Sequence, residues 1–350
     1  MQIMDFSNIL INWYLQNKRD LPWRHTKNPY NIWLSEIILQ QTRVVQGLPY
    51  YNKFIESFPN VESLANAEEE KVLKLWQGLG YYSRARNLHT TAKFINEQLK
   101  GEFPKNYNDL LKLKGVGEYT AAAIASFSFD EDVAVVDGNV FRVLSRFFGI
   151  ESDISENKTK KEFQDLAKSL LPKGKASNFN QAIMEFGATQ CVPKSPNCCD
   201  CIFNSNCYAL QKNKINELPV KKKKIKVKNR YLNYVVVKDS NANFLIEKRT
   251  DNGIWKNLFQ FPLVETEKAL NENKILDLIK KEFTADNVLH LNSEPIIHKL
   301  SHQHLYIRFF EITKNDVIKK AISYEEMIKK PFPIVLHNFI QSNYFVLSKK

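Results

Sequence analysis

A mainly helical first part and an α+β domain after it form the fold class this sequence predicts, and three observations carry it. Up to about residue 215, apolar side chains recur at helical spacing. Beyond Leu210 the composition turns lysine-rich, and from Tyr231 runs of β-branched and aromatic residues broken by turns take over. Between two short helical stretches, Lys114-Gly115-Val116-Gly117 places two glycines around one aliphatic residue, as a tight helical hairpin requires.

Length and charge narrow the function. The 350 residues suffice for two domains with ordinary cores. A hydrophobic content of 43% excludes a disordered chain. The formal net charge of +12 favours a polyanionic partner. No apolar run approaches the roughly 18–20 residues that span a bilayer. Residues 1–13 lack a basic start and a small-residue cleavage site, so a cytoplasmic location is expected. Five cysteines, four of them close together, point to a metal site in a reducing compartment rather than to disulfides.

The elements follow in order. Asp5 to Gln16 carries Phe6, Ile9, Leu10 and Trp13 at helical spacing, and Arg19-Asp20-Leu21-Pro22-Trp23-Arg24 is a polar, rigid loop. Asn28-Pro29 reads as an N-cap with proline at the first helical position. The helix it opens contains one acid, Glu36, with Ile32 four residues before it and Leu39 three after. Such a carboxyl is either partly buried, which raises its pKa, or sits on a solvated helix edge. Gln40-Gln41-Thr42-Arg43 ends this helix. Gly78 to Arg86 combines two glycines, two tyrosines and two arginines, which serve either DNA contact or a helix end with the tyrosines in the core. Tyr107 to Leu113 is a short helix, the hairpin turn follows, and Glu118 to Phe127 is alanine-rich. Free N–H groups at the start of that second helix make an anion site. Asp137 precedes the apolar stripe Val140, Val143, Leu144 and Phe147, so it caps a helix by accepting from Asn139 or Val140 N–H, bonds that favour its ionised form.

Cys191, Cys198, Cys201 and Cys207 give C-x6-C-x2-C-x5-C within one loop, a set of thiolates for a tetrahedral zinc or a four-iron cluster; Cys199 is left over. Lys221–Lys224, Lys226, Lys228 and Arg230 read as a solvated tether with incidental attraction to DNA, rather than as a dedicated phosphate contact. In the α+β region strands are expected at Tyr231–Val237, Phe244–Ile246, Gly253–Trp255, Leu258–Pro262, Ile296–Leu300 and Leu305–Ile312. Helices are expected near Glu267–Phe283 and Ile334–Phe345. His298, His302 and His304 cluster without a carboxylate or cysteine, which disfavours a metal there.

Together these residues resemble the MutY-type adenine DNA glycosylases of the helix-hairpin-helix superfamily, which also contains endonuclease III. The resemblance covers essentially the whole chain. It rests on Leu-Pro-Trp-Arg (21–24), Trp-Leu-Ser-Glu-Ile-Ile-Leu-Gln-Gln-Thr (33–42), Gly-Leu-Gly-Tyr-Tyr-Ser-Arg-Ala-Arg-Asn-Leu (78–88), Gly-Val-Gly-Glu-Tyr-Thr-Ala (115–121), the Val-Asp-Gly-Asn-Val-Phe-Arg stretch at 136–142, and the cysteine loop. It implies a helical glycosylase domain over 1–211, with a six-helix part at about 28–135 and an iron–sulfur cluster part at 1–27 and 136–211. A basic linker at 212–229 and a Nudix-like 8-oxoguanine recognition domain at 230–350 complete it. The implied cofactor is a [4Fe–4S] cluster on Cys191, Cys198, Cys201 and Cys207. The implied partner is double-stranded DNA bearing adenine opposite 8-oxoguanine or guanine, engaged by a monomer.

Roles follow from the same resemblance. Glu36 is the expected general acid at adenine N7, and Asp137 the carboxylate that stabilises the oxocarbenium ion. Tyr119 and Asn139 are expected to support them, with Arg19 as a basic residue near the acid. Gln41, Leu79 and Tyr81 are expected to fill the gap beside the flipped base or wedge next to 8-oxoguanine. Gly115, Val116 and Gly117 are expected to grip phosphate. Endonuclease III has a lysine where this chain has Tyr119, so base removal without strand cleavage is expected. The family's Phe-Ser-His recognition loop reads here Leu300-Ser301-His302. The glutamate-rich Nudix helix pattern is missing after Pro262, so no pyrophosphatase activity is expected.

Overall fold

The computed structural model describes residues 3–222 and 226–342. Part of the predicted tether (223–225) and the end of the predicted last helix, past residue 342, lie outside the described residues. The chain gathers into two compact units, one formed by Met1–Asn66 with Asn87–Lys223, the other by Ala67–Arg86 with Lys224–Lys350. Among the described residues no helix is long and apolar enough to cross a membrane.

The first unit is helical. α1 (Ile3–Asn17) leads through the Leu21–Arg24 loop to α2 (Pro29–Leu39). Asn28 caps α2 as its sequence predicts: its side chain accepts the Tyr30 N–H at 2.9 Å, with Pro29 at the first position. Every residue from Ile32 to Ile38 is buried, so α2 is a core helix rather than an amphipathic one. α3 (Val44–Ser57) and α4 (Val61–Ala65) follow; α5 (Glu69–Leu75) and the first turn of α6 (Ser83–Gln98) group with the second unit. α7 (Tyr107–Leu110) is shorter than expected, since the chain turns through Leu111 to Val116 into α8 (Glu118–Phe129). α9 (Gly138–Phe148), α10 (Asn157–Leu170), α11 (Ala176–Thr189) and α12 (Tyr208–Gln211) complete the unit. Phe6, Leu144, Phe163 and Phe186 from α1, α9, α10 and α11 share one core, and Phe203 of the cysteine loop stacks on Phe6 with centroids 4.7 Å apart.

The second unit holds a six-stranded mixed sheet. β1 (Lys228–Lys238) pairs antiparallel with β2 (Phe244–Leu245). β3 (Glu247–Lys248) and β4 (Phe259–Gln260) form a separate pair, and β5 (Leu263–Thr266) is antiparallel to β1. After α13 (Glu272–Phe283) come β6 (Leu289–His290), β7 (Ile296–Lys299) and β8 (Gln303–Thr313), which runs parallel to β1 with Val235 opposite Phe310. Val235 and Phe310 face Ile275 and Ile279 of α13. Alternation sends Tyr234 and Phe309 to the other face, where Phe339 of the last helix, after α14 (Tyr324–Met327), stacks on Phe309; that helix, α15, spans Ile334–Gln341.

Besides the shorter α7, two expectations need correction. Gly253–Trp255 is a turn, not a strand: Gly253 and Trp255 have φ of +152° and +64°, outside the extended region, although Ile254 and Trp255 are strand formers. α13 begins at Glu272 rather than near Glu267, because the Asn271 side chain caps it by accepting the Lys274 N–H at 3.1 Å.

Candidate active site

In the first unit three elements bring their polar residues to one place. α2 carries Glu36, which is 6% exposed; burial resolves the choice between core and solvated edge. The first turn of α8 carries Tyr119, whose hydroxyl donates to Glu36 Oε2 at 2.5 Å. Burial pushes the Glu36 carboxyl up to about 7, a rise the Tyr119 bond opposes and the Asp137 charge adds to. Burial, then the Glu36 and Asp137 charges, hold the Tyr119 hydroxyl well above the usual phenol range, so it stays a donor.

Asp137 caps α9. Its Oδ1 accepts the N–H groups of Asn139 and Val140, both at 2.8 Å, and its Oδ2 accepts the Asn139 side-chain amide at 2.7 Å. Burial outweighs these donors and the Arg142 charge, so the carboxyl sits above, not below, the ordinary aspartate value. Arg142 donates to Asn139 Oδ1 (2.8 Å) and to the carbonyls of Gly187 (2.6 Å) and Cys191 (2.7 Å), which fixes the Asn139 amide.

A cavity of about 340 Å³ opens at Glu36, within the ~300–1,000 Å³ span of ligand clefts. Trp23, Arg24, Ser35 and Gln181 line it with Glu36. Arg19 does not bond the acid. Its guanidinium grips Glu185 of α11 through Nε at 2.8 Å and Nη2 at 2.7 Å. Arg24 shares that carboxylate at 2.6 Å, and its charge also acts on Glu36. Burial alone would raise Glu185, but the hydrogen bonds from Arg19 and Arg24 hold it down at about 2. Sequence reading saw the Leu21–Arg24 loop without assigning it a role and missed Glu185 and Gln181. The alternation of apolar residues around α11 marks its core side, but no local pattern pairs a glutamate with arginines more than 160 positions away.

The hairpin turn is rigid. Val116 is buried and donates its N–H to Leu113 O at 3.1 Å, and the Thr91 hydroxyl donates to Lys114 O at 2.7 Å. Gly115 has φ +79°, and a Cβ there would meet Asn87 Cβ at 2.7 Å, so only glycine fits. At the start of α8, Gly117 has no side-chain cap. Gln41 is exposed just past α2 with φ +55°.

The cysteine loop hangs on α9. Buried Arg146 donates to the carbonyls of Leu218, Val192 and Pro193, at 2.8–3.1 Å, and to Cys191 Sγ at 3.5 Å. Cys191, Cys201 and Cys207 border the Phe6–Phe203 core, and Cys199 is exposed. None of the five cysteines is in a disulfide. Burial pushes Cys201 up to about 11, with Cys191, Cys207 and Cys198 each close enough to add to the rise. Among the described residues no three His, Cys, Asp or Glu side chains enclose a point where a single metal ion fits. Four soft sulfur donors near one another on one loop are the ligand type of a zinc ion or an iron–sulfur cluster.

In the second unit a cavity of about 450 Å³ brings together Leu79, Tyr81, Leu300, Ser301 and His302. Tyr81 is 45% exposed, whereas Leu79 is buried at 6%. The Tyr81 hydroxyl donates to Ser301 Oγ at 3.2 Å, and that oxygen lies 3.2 Å from His302 Nδ1.

A buried acid on α2, a helical hairpin further along the same unit and a second unit with a mixed sheet are the features to set against known proteins. Residues 34–169 match the family model of HhH-GPD superfamily base excision DNA repair proteins, and residues 233–342 match that of the NUDIX domain. The chain is 39% identical over 308 residues to the adenine DNA glycosylase of Buchnera aphidicola subsp. Schizaphis graminum, covering 88% of this chain and 87% of that one. It is 42% identical over 220 residues to the Homo sapiens adenine DNA glycosylase, covering 60% of this chain and 40% of that one. Among solved structures, a thermostable thymine-DNA glycosylase aligns with a TM-score of 0.55 at 32% identity, covering 60% of this chain and 97% of that one. A non-covalent endonuclease III–DNA complex aligns with a TM-score of 0.53 at 21% identity, over 61% and 98%, and shares the fold. The chain belongs to the adenine DNA glycosylase family, and it is an enzyme of base excision repair.

Proposed function

We propose that this protein removes adenine lying opposite 8-oxoguanine or guanine in duplex DNA, by hydrolysis of the N-glycosidic bond and without cutting the strand. The observation that carries the reading is Glu36: a carboxyl raised to about 7, held by Tyr119, on the wall of a cavity of about 340 Å³ and beside Asp137. The family relatives support adenine as the base.

The extruded adenosine enters the Glu36 cavity, at an unstacking cost of a few kcal/mol recovered by contacts such as Trp23 and Arg24. Glu36 gives its proton to adenine N7, and the C1′–N9 bond breaks with its electron pair on the base. The Asp137 carboxylate stabilises the oxocarbenium ion, with Asn139 and the α9 N–H groups fixing its orientation. Water adds its oxygen to C1′, and the proton it releases returns the carboxyl pair to its starting state. Position 119 supplies no amine, so no Schiff base forms there. Tyr81, Ser301 and His302 supply hydrogen bonding and an aromatic face for the opposing 8-oxoguanine, and Leu300 supplies apolar contact.

Cys191, Cys198, Cys201 and Cys207 would hold a [4Fe–4S] cluster; four close thiols on a loop anchored by Arg146 support that reading. When bound, the cluster braces a loop that has little apolar side chain of its own. Purified protein is expected to show broad brown visible absorption that Cys201→Ser removes and Cys199→Ser leaves intact. A colourless protein, or loss with Cys199→Ser, would overturn the assignment.

The catalytic reading is tested on duplexes with adenine opposite 8-oxoguanine, followed by hot alkali. Alkali-labile breaks are expected at adenine and none before alkali. Intact strands, or breaks without alkali, refute it.

A further inference from the structure

Tyr81 sits in a backbone conformation it does not adopt by itself. Its φ is +47°, and it follows Gly78 at +106° and Gly80 at +73°. A bulky residue in the left-handed region persists only when its surroundings fix it. Part of the fixing is local: the Trp76 indole N–H donates to Gly80 O at 3.0 Å, and Arg84 Nη2 reaches Leu79 O and Gly80 O, both at 3.3 Å. The rest comes from the C-terminal part of the same compact unit, which holds α5 just ahead of the turn. Asn257 donates to Glu69 at 2.9 Å, and Glu70 pairs with Lys330 at 2.9 Å and Lys248 at 3.2 Å.

Lys74 is the centre of this grip. Its ammonium donates to Ile328 O at 2.7 Å, to Lys330 O at 3.1 Å and to Gln77 Oε1 at 3.4 Å. Gln77 Oε1 in turn accepts the Phe332 N–H at 3.1 Å. One half-buried charge thus ties the main chain of 328–332 to the residues flanking Trp76. Lys74 does not line the Tyr81–Ser301 cavity, so any influence on that cavity passes through the turn.

We propose that Lys74 is a positioning residue that sets Tyr81 against Ser301 and thereby sets discrimination of the base opposite adenine. This rests on the lesion-reading role of Tyr81 and Ser301 proposed above. Without the ammonium, two main-chain carbonyls and Gln77 lose their shared donor, while the Glu70 ion pairs still dock α5. The turn loosens and the fold stays.

The test uses the full chain and single-turnover adenine release from duplexes with adenine opposite 8-oxoguanine and opposite guanine. Lys74→Met is expected to lower the ratio of the two rates about tenfold, the scale of one charge-assisted hydrogen bond. The rate opposite guanine is expected to stay within about twofold, and Lys74→Arg to restore most of the ratio. Combined with Tyr81→Ala, Lys74→Met should add no further loss, because both act through one side chain. An unchanged ratio, an equal loss on both duplexes or an additive double variant overturns the proposal. If Lys74→Met does not fold, Gln77→Met, which removes the Phe332 contact, is read by the same criteria. A wild-type ratio of one refutes the lesion reading and this proposal together. A wild-type preference that Lys74→Met retains refutes this proposal alone.

Discussion

Glu36→Gln is expected to lower single-turnover adenine release by roughly 10³-fold, the middle of the usual range for a lost general acid, while duplex affinity stays near wild type. The amide matches the carboxyl in shape and still accepts the Tyr119 hydroxyl through its carbonyl, but it has no acidic proton to give. The pH profile carries the same information. Burial raises Glu36 to about 7, so the wild-type rate should fall tenfold per pH unit above about 7 as the proton is lost. Tyr119→Phe removes a bond that lowers this value, so its alkaline limb should move to higher pH. Stability follows pH in the same direction as activity. A carboxyl whose folded pKa lies above its unfolded one stabilises the fold only when protonated, and that contribution is lost as pH rises through about 7. At pH 8 Glu36→Gln should therefore melt at or above the wild-type temperature, so lost activity there cannot be lost fold. Retained excision in the variant would refute the acid assignment.

Features written in neighbouring residues were legible, and features assembled from distant ones were not. Asn28-Pro29 and Asp137 declare their caps because capping partners lie two or three positions on. The Gly115–Gly117 turn is equally local, and its demand for glycine is explained by Asn87 packing on it. Glu36 was ambiguous because Ile32 and Leu39 show only its own helix, whereas Tyr119, 83 positions later, bonds it. Arg19 was placed near the acid by resemblance, yet buried Glu185 is its partner. Lys74 was equally hidden: two of its three acceptors are main-chain carbonyls some 250 positions on, which no side-chain pattern encodes. Gly253–Trp255 was misread as a strand because propensity reports how residues pack in a sheet, and this stretch is set by its turn.

Asp137→Asn is expected to slow single-turnover release by roughly 10²–10³-fold, as when one preorganised stabiliser of a charged transition state is removed. Two functions meet in this side chain, and the substitution separates them. Asparagine caps a helix as well as aspartate does, so its carbonyl can keep the Asn139 and Val140 N–H bonds now made by Oδ1. At the other terminus its NH2 meets the amide of Asn139, which cannot turn away because Arg142 holds Asn139 Oδ1 at 2.8 Å. That conflict of two donors costs about 1 kcal/mol, a small loss against the catalytic one. Asp137→Ala has no NH2 to oppose Asn139, but it leaves that amide and both N–H groups without their acceptors; losing the cap costs about 1 kcal/mol and the unmet amide about 1 kcal/mol or more, so it melts lower than the asparagine variant. If Asp137 acts through its charge, the two variants share one rate loss and differ in melting temperature. If it acts only as the cap of α9, the asparagine variant keeps excision within about threefold of wild type and the alanine variant alone loses it; that outcome would leave the oxocarbenium ion without its partner and refute the two-carboxyl mechanism.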